Sequence, residues 1–124
     1  MHALVVDDSR VMRRVVGRIV STLGFDVLEA GNGREALDQV TAHGDAIWVA
    51  LVDWNMPEMD GLEFVRRVRA VPGNEDLLVM MVTAQTGAEE MRAALDAGAD
   101  EYLMKPFNEE HLRAKLALLG VEAA

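Results

Sequence analysis

Short apolar runs alternate with amphipathic segments along the chain, and the apolar spacing differs between the two. The runs occupy residues 3–6, 25–28, 47–52, 77–82 and 101–104. The segment 12–23, which ends before Gly24, has apolar residues three and four positions apart, the spacing of an amphipathic helix. Further helices are predicted at 34–43, 62–68, 87–97 and 108–119. Five strands alternating with five helices predict an α/β domain with a parallel sheet.

The third and fourth runs are apolar throughout, which is typical of strands covered by helices on both faces. Sheets of this kind bind their ligands outside the carboxyl ends of the strands. The residues just after each run are therefore the candidates for chemistry. They are Asp7 and Asp8 after the first run, Asp53 after the third, Thr83 after the fourth and Lys105 after the fifth.

Together these side chains suit phosphoryl transfer. Three carboxylates held close together repel one another, and a hard divalent cation with oxygen ligands, such as Mg²⁺, relieves that repulsion. A carboxylate can attack a phosphoryl group, while a metal ion, an ammonium group and a hydroxyl group stabilise the phosphoryl oxygens. A single aspartate at a strand end is more often a solvated loop residue or a helix cap. All five residues, however, come just after predicted strands, and this shared position favours a functional site.

Composition and charge narrow the function classes. A length of 124 residues predicts a single domain over 1–124. The net charge of −9 argues against binding to nucleic acid or anionic membranes, and the absence of cysteine excludes disulfides and cysteine-based metal sites. The longest apolar run, 46–52, is far shorter than the ~20 residues of a membrane-spanning helix, and the start of the chain does not fit a signal peptide. We therefore expect a cytoplasmic protein.

At the strand-end positions the chain resembles the receiver domains of two-component response regulators, most closely the single-domain chemotaxis receivers of the CheY-like class. The motifs that carry the resemblance are VDDSRVMRR at 6–14, DWNMPEMDG at 53–61, VTA at 82–84 and YLMKPF at 102–107. The likeness extends over residues 3–119. No single motif is specific for the family, whereas the four motifs in this order and spacing are.

The resemblance implies a doubly wound, flavodoxin-like sheet of five parallel strands in the order 2-1-3-4-5 with five helices. It implies that Asp53 accepts a phosphoryl group from a histidine kinase or a phosphotransfer domain. The implied Mg²⁺ ligands are the carboxylates of Asp7, Asp8 and Asp53 and the backbone carbonyl of Asn55. Such a protein is not an enzyme in the usual sense, because it assists only its own phosphorylation and dephosphorylation.

The resemblance also assigns the groups around the phosphoryl oxygens. They are the Lys105 ammonium, the Thr83 hydroxyl and the backbone N–H groups of Trp54 and Ala84. The Lys105–Pro106 bond is expected to be cis, which an X-Pro bond tolerates. Asn55 and Gln85 flank the path of the hydrolysing water in the family, and neither side chain is a strong general base.

Signalling in the family depends on Thr83 and Tyr102. The threonine hydroxyl moves toward the phosphoryl group, the aromatic ring rotates inward, and the face of the fourth helix, fifth strand and fifth helix then binds a target protein. From the residues alone, Tyr102 is a half-buried strand aromatic with a solvated hydroxyl. We expect a stand-alone receiver, plausible in chemotaxis, that is a monomer with a possible phosphorylation-dependent dimer.

A glycine-rich pattern suggests a different ligand. Residues 31–36 fit the dinucleotide pattern G-x-G-x-x-A between a strand and a helix. The pattern follows the second strand, and the chain is too short for two mononucleotide-binding halves. A turn followed by a helix N-cap is therefore the favoured interpretation.

Other function classes stay open. Aspartyl-phosphate hydrolases need a second acid two residues after the nucleophile, where Asn55 stands, and a flavodoxin-type module needs a phosphate loop where Asp7 and Asp8 stand. A receiver that has lost phosphotransfer, or passes the group on, would serve as a docking scaffold or phosphate sink. The presence of all five strand-end residues weakens that alternative.

Charge along the chain suggests two docking surfaces. The first helix is expected to expose Arg10, Arg13, Arg14 and Arg18 opposite Met12, Val15, Val16 and Ile19. Such a stripe is by default a solvated surface, but it begins beside Asp8, and we hypothesise that Arg10, Arg14 and Arg18 dock the phosphodonor. Residues 85–124 carry eight acids and four bases, which favours a basic or amphipathic target or is simply a solvated surface.

Overall fold

The computed structural model describes residues 1–121 and contains a parallel sheet with helices on both faces. The strands are β1 His2–Val6, β2 Asp26–Ala30, β3 Ile47–Val52, β4 Leu78–Thr83 and β5 Glu101–Met104. The helices are α1 Arg10–Thr22, α2 Gly33–His43, α3 Gly61–Ala70, α4 Ala88–Ala97 and α5 Glu109–Leu118. The strand order is β2-β1-β3-β4-β5, and every neighbouring pair is parallel, which confirms the expected fold class.

The sheet divides the core into two clusters. On one face the strands pack against α2, α3 and α4, where Phe64, Val65 and Met81 are fully buried. On the other face they pack against α1 and α5, through residues such as Val20 and Leu112. Because both faces are covered, β4 is buried along nearly its whole length, as its continuous apolar run predicted. A short 3₁₀ turn at Gly44–Ala46, which the sequence pattern did not predict, precedes β3.

The buried side of α1 differs from the prediction. Val16, Ile19 and Val20 face the core as expected, but Val15 is 45% exposed, and the prediction that it points inward is wrong. Gly17 lies against the sheet, because a Cβ atom there would stand 3.3 Å from Val27. The contact surface is therefore centred on 16, 17 and 20, which places position 15 at its edge. Within residues 1–121, no helix is long and apolar enough to cross a membrane.

Side-chain caps fix the starts of four helices at the carboxyl edge of the sheet. The capping residues of α1, α2, α3 and α5 are Ser9, Asn32, Asp60 and Asn108, and each accepts a hydrogen bond from a backbone N–H in the first turn. Since these helices begin directly after the loops that follow the strands, the caps also fix the loops. The candidate functional residues lie on those loops.

Candidate functional site

The Lys105 ammonium lies between two carboxylates at the carboxyl edge of the sheet. Its Nζ atom is 2.9 Å from Asp7 Oδ2 and 3.2 Å from Asp53 Oδ2. Burial lowers the pKa of Lys105, but the hydrogen bond to Asp7 and the charges of Asp53 and Asp7 outweigh it and raise the pKa above its usual value. Lys105 is therefore a permanent cation in contact with two anions that come from different strands.

The chain around Lys105 aims it into the site. The Lys105–Pro106 peptide bond is cis, as the resemblance implied. The backbone N–H of Lys105 donates to the carbonyl of Thr83 at 2.8 Å, which continues the pairing of β5 with β4. The side chain can then reach across β4 and β3 to Asp53 and Asp7.

Asp7 is held by three separate contacts. Its Oδ1 atom accepts from the N–H of Ser9 at 2.8 Å, and its Oδ2 atom bonds Lys105. Its backbone carbonyl accepts from Arg13 Nη1 at 2.7 Å, and Arg13 also pairs with Glu29 at 3.0 Å. Arg13 is therefore not part of an exposed stripe, and that prediction is wrong, because the carbonyl that follows β1 and a carboxylate on β2 draw its guanidinium toward the sheet.

Asp53 directly follows β3, and each of its two carboxylate oxygens has a different partner. Oδ1 accepts from the N–H of the next residue, Trp54, at 2.7 Å, and Oδ2 faces Lys105. The side chain keeps 13% of its surface exposed. The carboxylate is therefore oriented by its neighbours and still open to a reactant from solvent.

Three acidic side chains converge at this point. One carboxylate oxygen each from Asp7, Asp8 and Asp53 lie within 4.8 Å of one another. Asp8 is exposed and lines a shallow cleft with Asn55, the residue whose carbonyl was expected to complete the ligands. An all-oxygen set of this charge, open to water, fits a hard divalent cation and suits softer metals poorly.

The loop between β3 and α3 closes back onto Asp53. The N–H of Gly61 donates to the carbonyl of Trp54 at 2.9 Å, and a Cβ atom at Gly61 would stand 2.1 Å from the carbonyl oxygen of Asp53. Only glycine permits this approach. The loop that follows Asp53 is therefore short and tightly folded, with Asn55 at its outer surface.

Asn32 ties this loop to the start of α2, a role that the sequence pattern did not reveal. Its Oδ1 atom caps the helix by accepting from the N–H of Glu35 at 2.9 Å, while its Nδ2 atom donates to Glu58 Oε2 at 2.8 Å. The N–H of Gly33 donates to the carbonyl of Met59 at 2.9 Å. The favoured interpretation of the glycine-rich pattern, a turn and a helix cap, is confirmed. Its N–H groups face protein acceptors rather than a phosphate.

Thr83 and Tyr102 both contact the backbone of Gln85. The Thr83 hydroxyl is fully buried and accepts from the N–H of Gln85 at 3.2 Å. The Tyr102 hydroxyl donates to the Gln85 carbonyl at 2.7 Å, and only 4% of the residue is exposed. The interpretation of Tyr102 as half-buried with a solvated hydroxyl is wrong, because the loop after β4 supplies a backbone acceptor. Ala84, between the two contacts, is exposed.

Burial raises the pKa of the Tyr102 hydroxyl above its usual value of 10.0, and the negative charges of Glu90 and Asp53 raise it further. The Tyr102 hydroxyl therefore keeps its proton at physiological pH and donates it in a hydrogen bond. Of the three causes, burial is the largest and the charge of Asp53 is the smallest.

The two predicted docking surfaces differ in whether their basic side chains are paired with acids. Arg10, Arg14 and Arg18 are exposed on α1, and the last two line a groove with Val11, Val15 and Glu109. The three Lys and Arg residues of α4, β5 and α5 all pair with acids, in the pairs Arg92–Asp96, Arg113–Glu109 and Lys115–Glu101. Glu122, which belongs to the acidic half, lies outside the described residues. Docking at either surface stays a prediction.

Comparisons with known proteins agree with this architecture. The family model described as "Response regulator receiver domain" matches residues 3–117. A chemotaxis protein CheY homolog from Campylobacter jejuni is 48% identical over 117 residues, 94% of this chain and 89% of the relative. Chemotaxis protein CheY1 from Helicobacter pylori is 43% identical over 120 residues, 96% of each chain. A solved structure of chemotaxis protein CheY4 from Vibrio cholerae has a TM-score of 0.85 and 35% identity, with 97% of both chains covered.

Proposed function

Since the chain belongs to the response regulator receiver domain family, we propose that it is a phosphoacceptor switch in which Asp53 takes a phosphoryl group from a histidine kinase or a phosphotransfer domain. The observation that carries the proposal is the contact of one ammonium, Lys105, with Asp53 and Asp7 beside a third carboxylate. A purely structural ion pair has no need of the third acid. The named relatives act in chemotaxis, and we propose the same setting for this chain.

The reaction is a transfer between two nucleophiles. A carboxylate oxygen of Asp53 attacks phosphorus, and a P–O bond forms while the P–N bond of the donor phosphohistidine breaks, with the electron pair left on the imidazole nitrogen. The contacts of Asp53 with Trp54 and Lys105 fix its orientation before attack. Because the acceptor is part of the chain, the protein turns over no external substrate.

Groups around Asp53 would stabilise the negative charge on the phosphoryl oxygens. Lys105 is a fixed cation within reach, and the N–H of Trp54, which now bonds the carboxylate, lies beside it. Thr83 is the last residue of β4, the neighbouring strand, and the N–H of Ala84 directly follows it. Asp7, Asp8, Asp53 and the Asn55 carbonyl would hold Mg²⁺, which supplies positive charge to the phosphoryl oxygens when bound.

The switch works through Gln85, because Thr83 accepts from its backbone N–H and Tyr102 donates to its backbone carbonyl. When the Thr83 hydroxyl turns to a phosphoryl oxygen, it stops accepting from the Gln85 N–H, and the loop is free to move. The Tyr102 hydroxyl holds the Gln85 carbonyl and carries that movement to β5. The surface of α4, β5 and α5 then changes its affinity for a target protein. We place the reaction in the cytoplasm, where a kinase has ATP.

Acetyl phosphate labelling tests the proposal. The chain is expected to gain the mass of one phosphoryl group when Mg²⁺ is present, with no gain in EDTA. Asp53→Ala should abolish the label, whereas the matched variant Asp96→Ala, on exposed α4, should keep it. The result that contradicts the proposal is either no label in the unchanged chain, as a docking scaffold would show, or repeated turnover of a phosphate ester, as a phosphatase would show.

A further inference from the structure

A cleft of about 380 Å³ lies at the amino-terminal edge of the sheet, at the opposite ends of the strands from Asp53. It is formed between the segment that enters β3 and the segment that enters β4. Its apolar wall includes Val40, Leu77 and Leu78, and its rim carries Trp48, Asp45 and Asp76. None of these residues takes part in the phosphoacceptor site.

Trp48 is directed into this cleft by an irregularity of β3. The register of β1 with β3 passes from Ile47 to Val49, so Trp48 is an extra residue without a partner on β1. Its neighbours in the strand are buried, whereas Trp48 is 54% exposed. A bulge of this kind re-aims a side chain and commonly occurs beside functional sites. Here it exposes a large indole face that a regular strand would have packed or paired.

The two charged residues that line the cleft, Asp45 and Asp76, are both acidic. Asp45 and Asp76 are exposed, and neither forms an ion pair within residues 1–121. The part of the chain that the structure describes contributes no lysine, arginine or histidine to the lining. Arg69 bonds the carbonyl of Asn74 in the wall, but its guanidinium is already paired with Asp100 at 2.9 Å. The two rim carboxylates therefore have unused capacity for a cation.

We propose that this cleft docks a basic segment of a partner protein, with one arginine of that segment placed over the Trp48 indole and hydrogen-bonded to Asp45 and Asp76. A guanidinium is planar, stacks on an aromatic face and donates to two carboxylates at once, so it fits this combination better than an ammonium. The apolar wall and the exposed Val71 nearby in the chain favour a peptide with apolar neighbours over a small free amine. The partner would bind while the phosphoacceptor edge and the α4-β5-α5 face remain free.

The test is a titration of the full ¹⁵N-labelled chain with a capped peptide, leucine-arginine-arginine-leucine, followed by NMR. We expect the largest shifts at the Trp48 indole N–H and at the amides of Asp45 and Asp76. The variant Asp45→Asn/Asp76→Asn should weaken binding at least fivefold. The matched variant Glu89→Gln/Glu110→Gln loses the same charge from exposed positions on α4 and α5 and should change binding less than twofold.

Two further peptides and one further variant separate the chemistry from general acidity. Citrulline in place of arginine should abolish binding, and lysine should weaken it. Trp48→Leu should remove the preference for arginine over lysine while keeping part of the affinity. The proposal is overturned if the shifts map to α4 and α5, or if both double variants bind alike. Tighter binding of spermidine than of the peptide at the same residues would overturn the choice of a protein segment.

Discussion

Asp8 is the least constrained of the three clustered acids. Asp7 is bonded to Ser9 and Lys105, and Asp53 to Trp54 and Lys105, whereas Asp8 is exposed. Removing Asp8 should therefore disturb the fold little and should mainly alter what the cluster binds. This separation makes Asp8 the residue with which to test the proposed cation.

Mg²⁺ should raise the melting temperature of the unchanged chain. A ligand at ten times its dissociation constant adds about 1.4 kcal/mol to the free energy of unfolding, which corresponds to roughly 4–8 °C for a domain of this size. Asp8→Ala should abolish the increase. Asp60→Asn is the control, because Asp60 lines the same cleft but its side chain caps α3. Scanning calorimetry with and without Mg²⁺ measures both. An undiminished increase in Asp8→Ala would exclude this cluster as the site.

The single tyrosine of the chain, Tyr102, gives a direct test of the electrostatics around β5. Its pKa is raised by burial and by the charges of Glu90 and Asp53. Glu90→Gln should therefore lower the pKa of Tyr102 toward its usual value, and Glu89→Gln, a neighbour that does not contribute, should leave it unchanged. Tyrosinate absorbance against pH gives the values. Equal shifts in both variants would show that local charge does not reach the ring.

The same shift sets how Tyr102 affects stability. Its pKa in the folded state lies above that in the unfolded state, so the folded chain keeps the proton longer. The stabilising effect is complete below the unfolded pKa and is lost as the pH rises through the folded pKa. Tyr102→Phe should show a smaller loss of unfolding free energy above about pH 10 than the unchanged chain. Denaturant unfolding at several pH values measures the difference.

Individual residues show where sequence reasoning succeeded and where it stopped. Asp7, Asp53 and Lys105 were predicted to converge, and they do, because parallel strands bring their carboxyl ends to one edge. Arg13 and Tyr102 were misplaced, because their partners, the Asp7 and Gln85 carbonyls, are backbone groups that a side-chain pattern does not register. The spacing of a residue predicts the face of the helix or strand that carries it. It does not predict the hydrogen-bond acceptor that a long side chain reaches.

At the scale of elements, one side chain connects the start of α2 to the loop between β3 and α3. Asn32 caps α2 and holds Glu58, whose backbone φ is +64°, a conformation that few residues other than glycine adopt. Glu58 lies in the loop that begins at Asp53. The Asn32 amide therefore maintains a strained turn in the loop that follows Asp53.

Asn32→Ala and Asn108→Ala are a matched pair, because both residues cap helices with their side chains. Asn108 is exposed and only caps α5, so its loss should cost about 1 kcal/mol. Asn32 is buried and also holds Glu58, so its loss should cost about 2–4 kcal/mol. Urea unfolding at equilibrium compares them. Equal losses would mean that the contact with Glu58 contributes nothing to the stability of the loop.

The elements themselves were predicted well where local signals were strong. β3 and β5 have the predicted bounds, and a charged residue, Asp53 or Lys105, directly follows the end of each run. The bulge at Trp48 was not predicted, because it arises from the pairing of β3 with β1 and not from any turn residue in the run. The strand order also has no local signature. The family motifs imply it, while periodicity alone predicts only an alternation of strands and helices.

Across the whole molecule, clusters of opposite charge lie on different surfaces. Asp7, Asp8 and Asp53 lie at one edge of the sheet, Asp45 and Asp76 at the other, and the exposed arginines of α1 on a helix between them. The net charge of −9 is thus not a uniform property. A partner with an acidic surface would be repelled by most of the chain and attracted to α1, which lies next to the acceptor edge.

Arg14→Glu/Arg18→Glu tests whether α1 guides the phosphodonor. The two arginines line a groove with Val11 and Val15, so they combine charge with an exposed apolar surface. Long-range attraction acts mainly on association, and reversing both charges should slow phosphotransfer from the cognate kinase about tenfold or more at low salt, with a smaller effect at high salt. Phosphorylation by acetyl phosphate should be unchanged, because a small donor needs no docking surface.

The control Arg66→Glu/Arg67→Glu reverses the same charge at two exposed positions of α3. It should slow the kinase reaction less than twofold. A similar loss in both variants would mean that net charge, and not the position of α1, governs the encounter. A similar loss with both donors would mean that Arg14 and Arg18 act on the chemistry at Asp53. Only selective slowing of the protein donor by the α1 variant supports a docking role for the stripe.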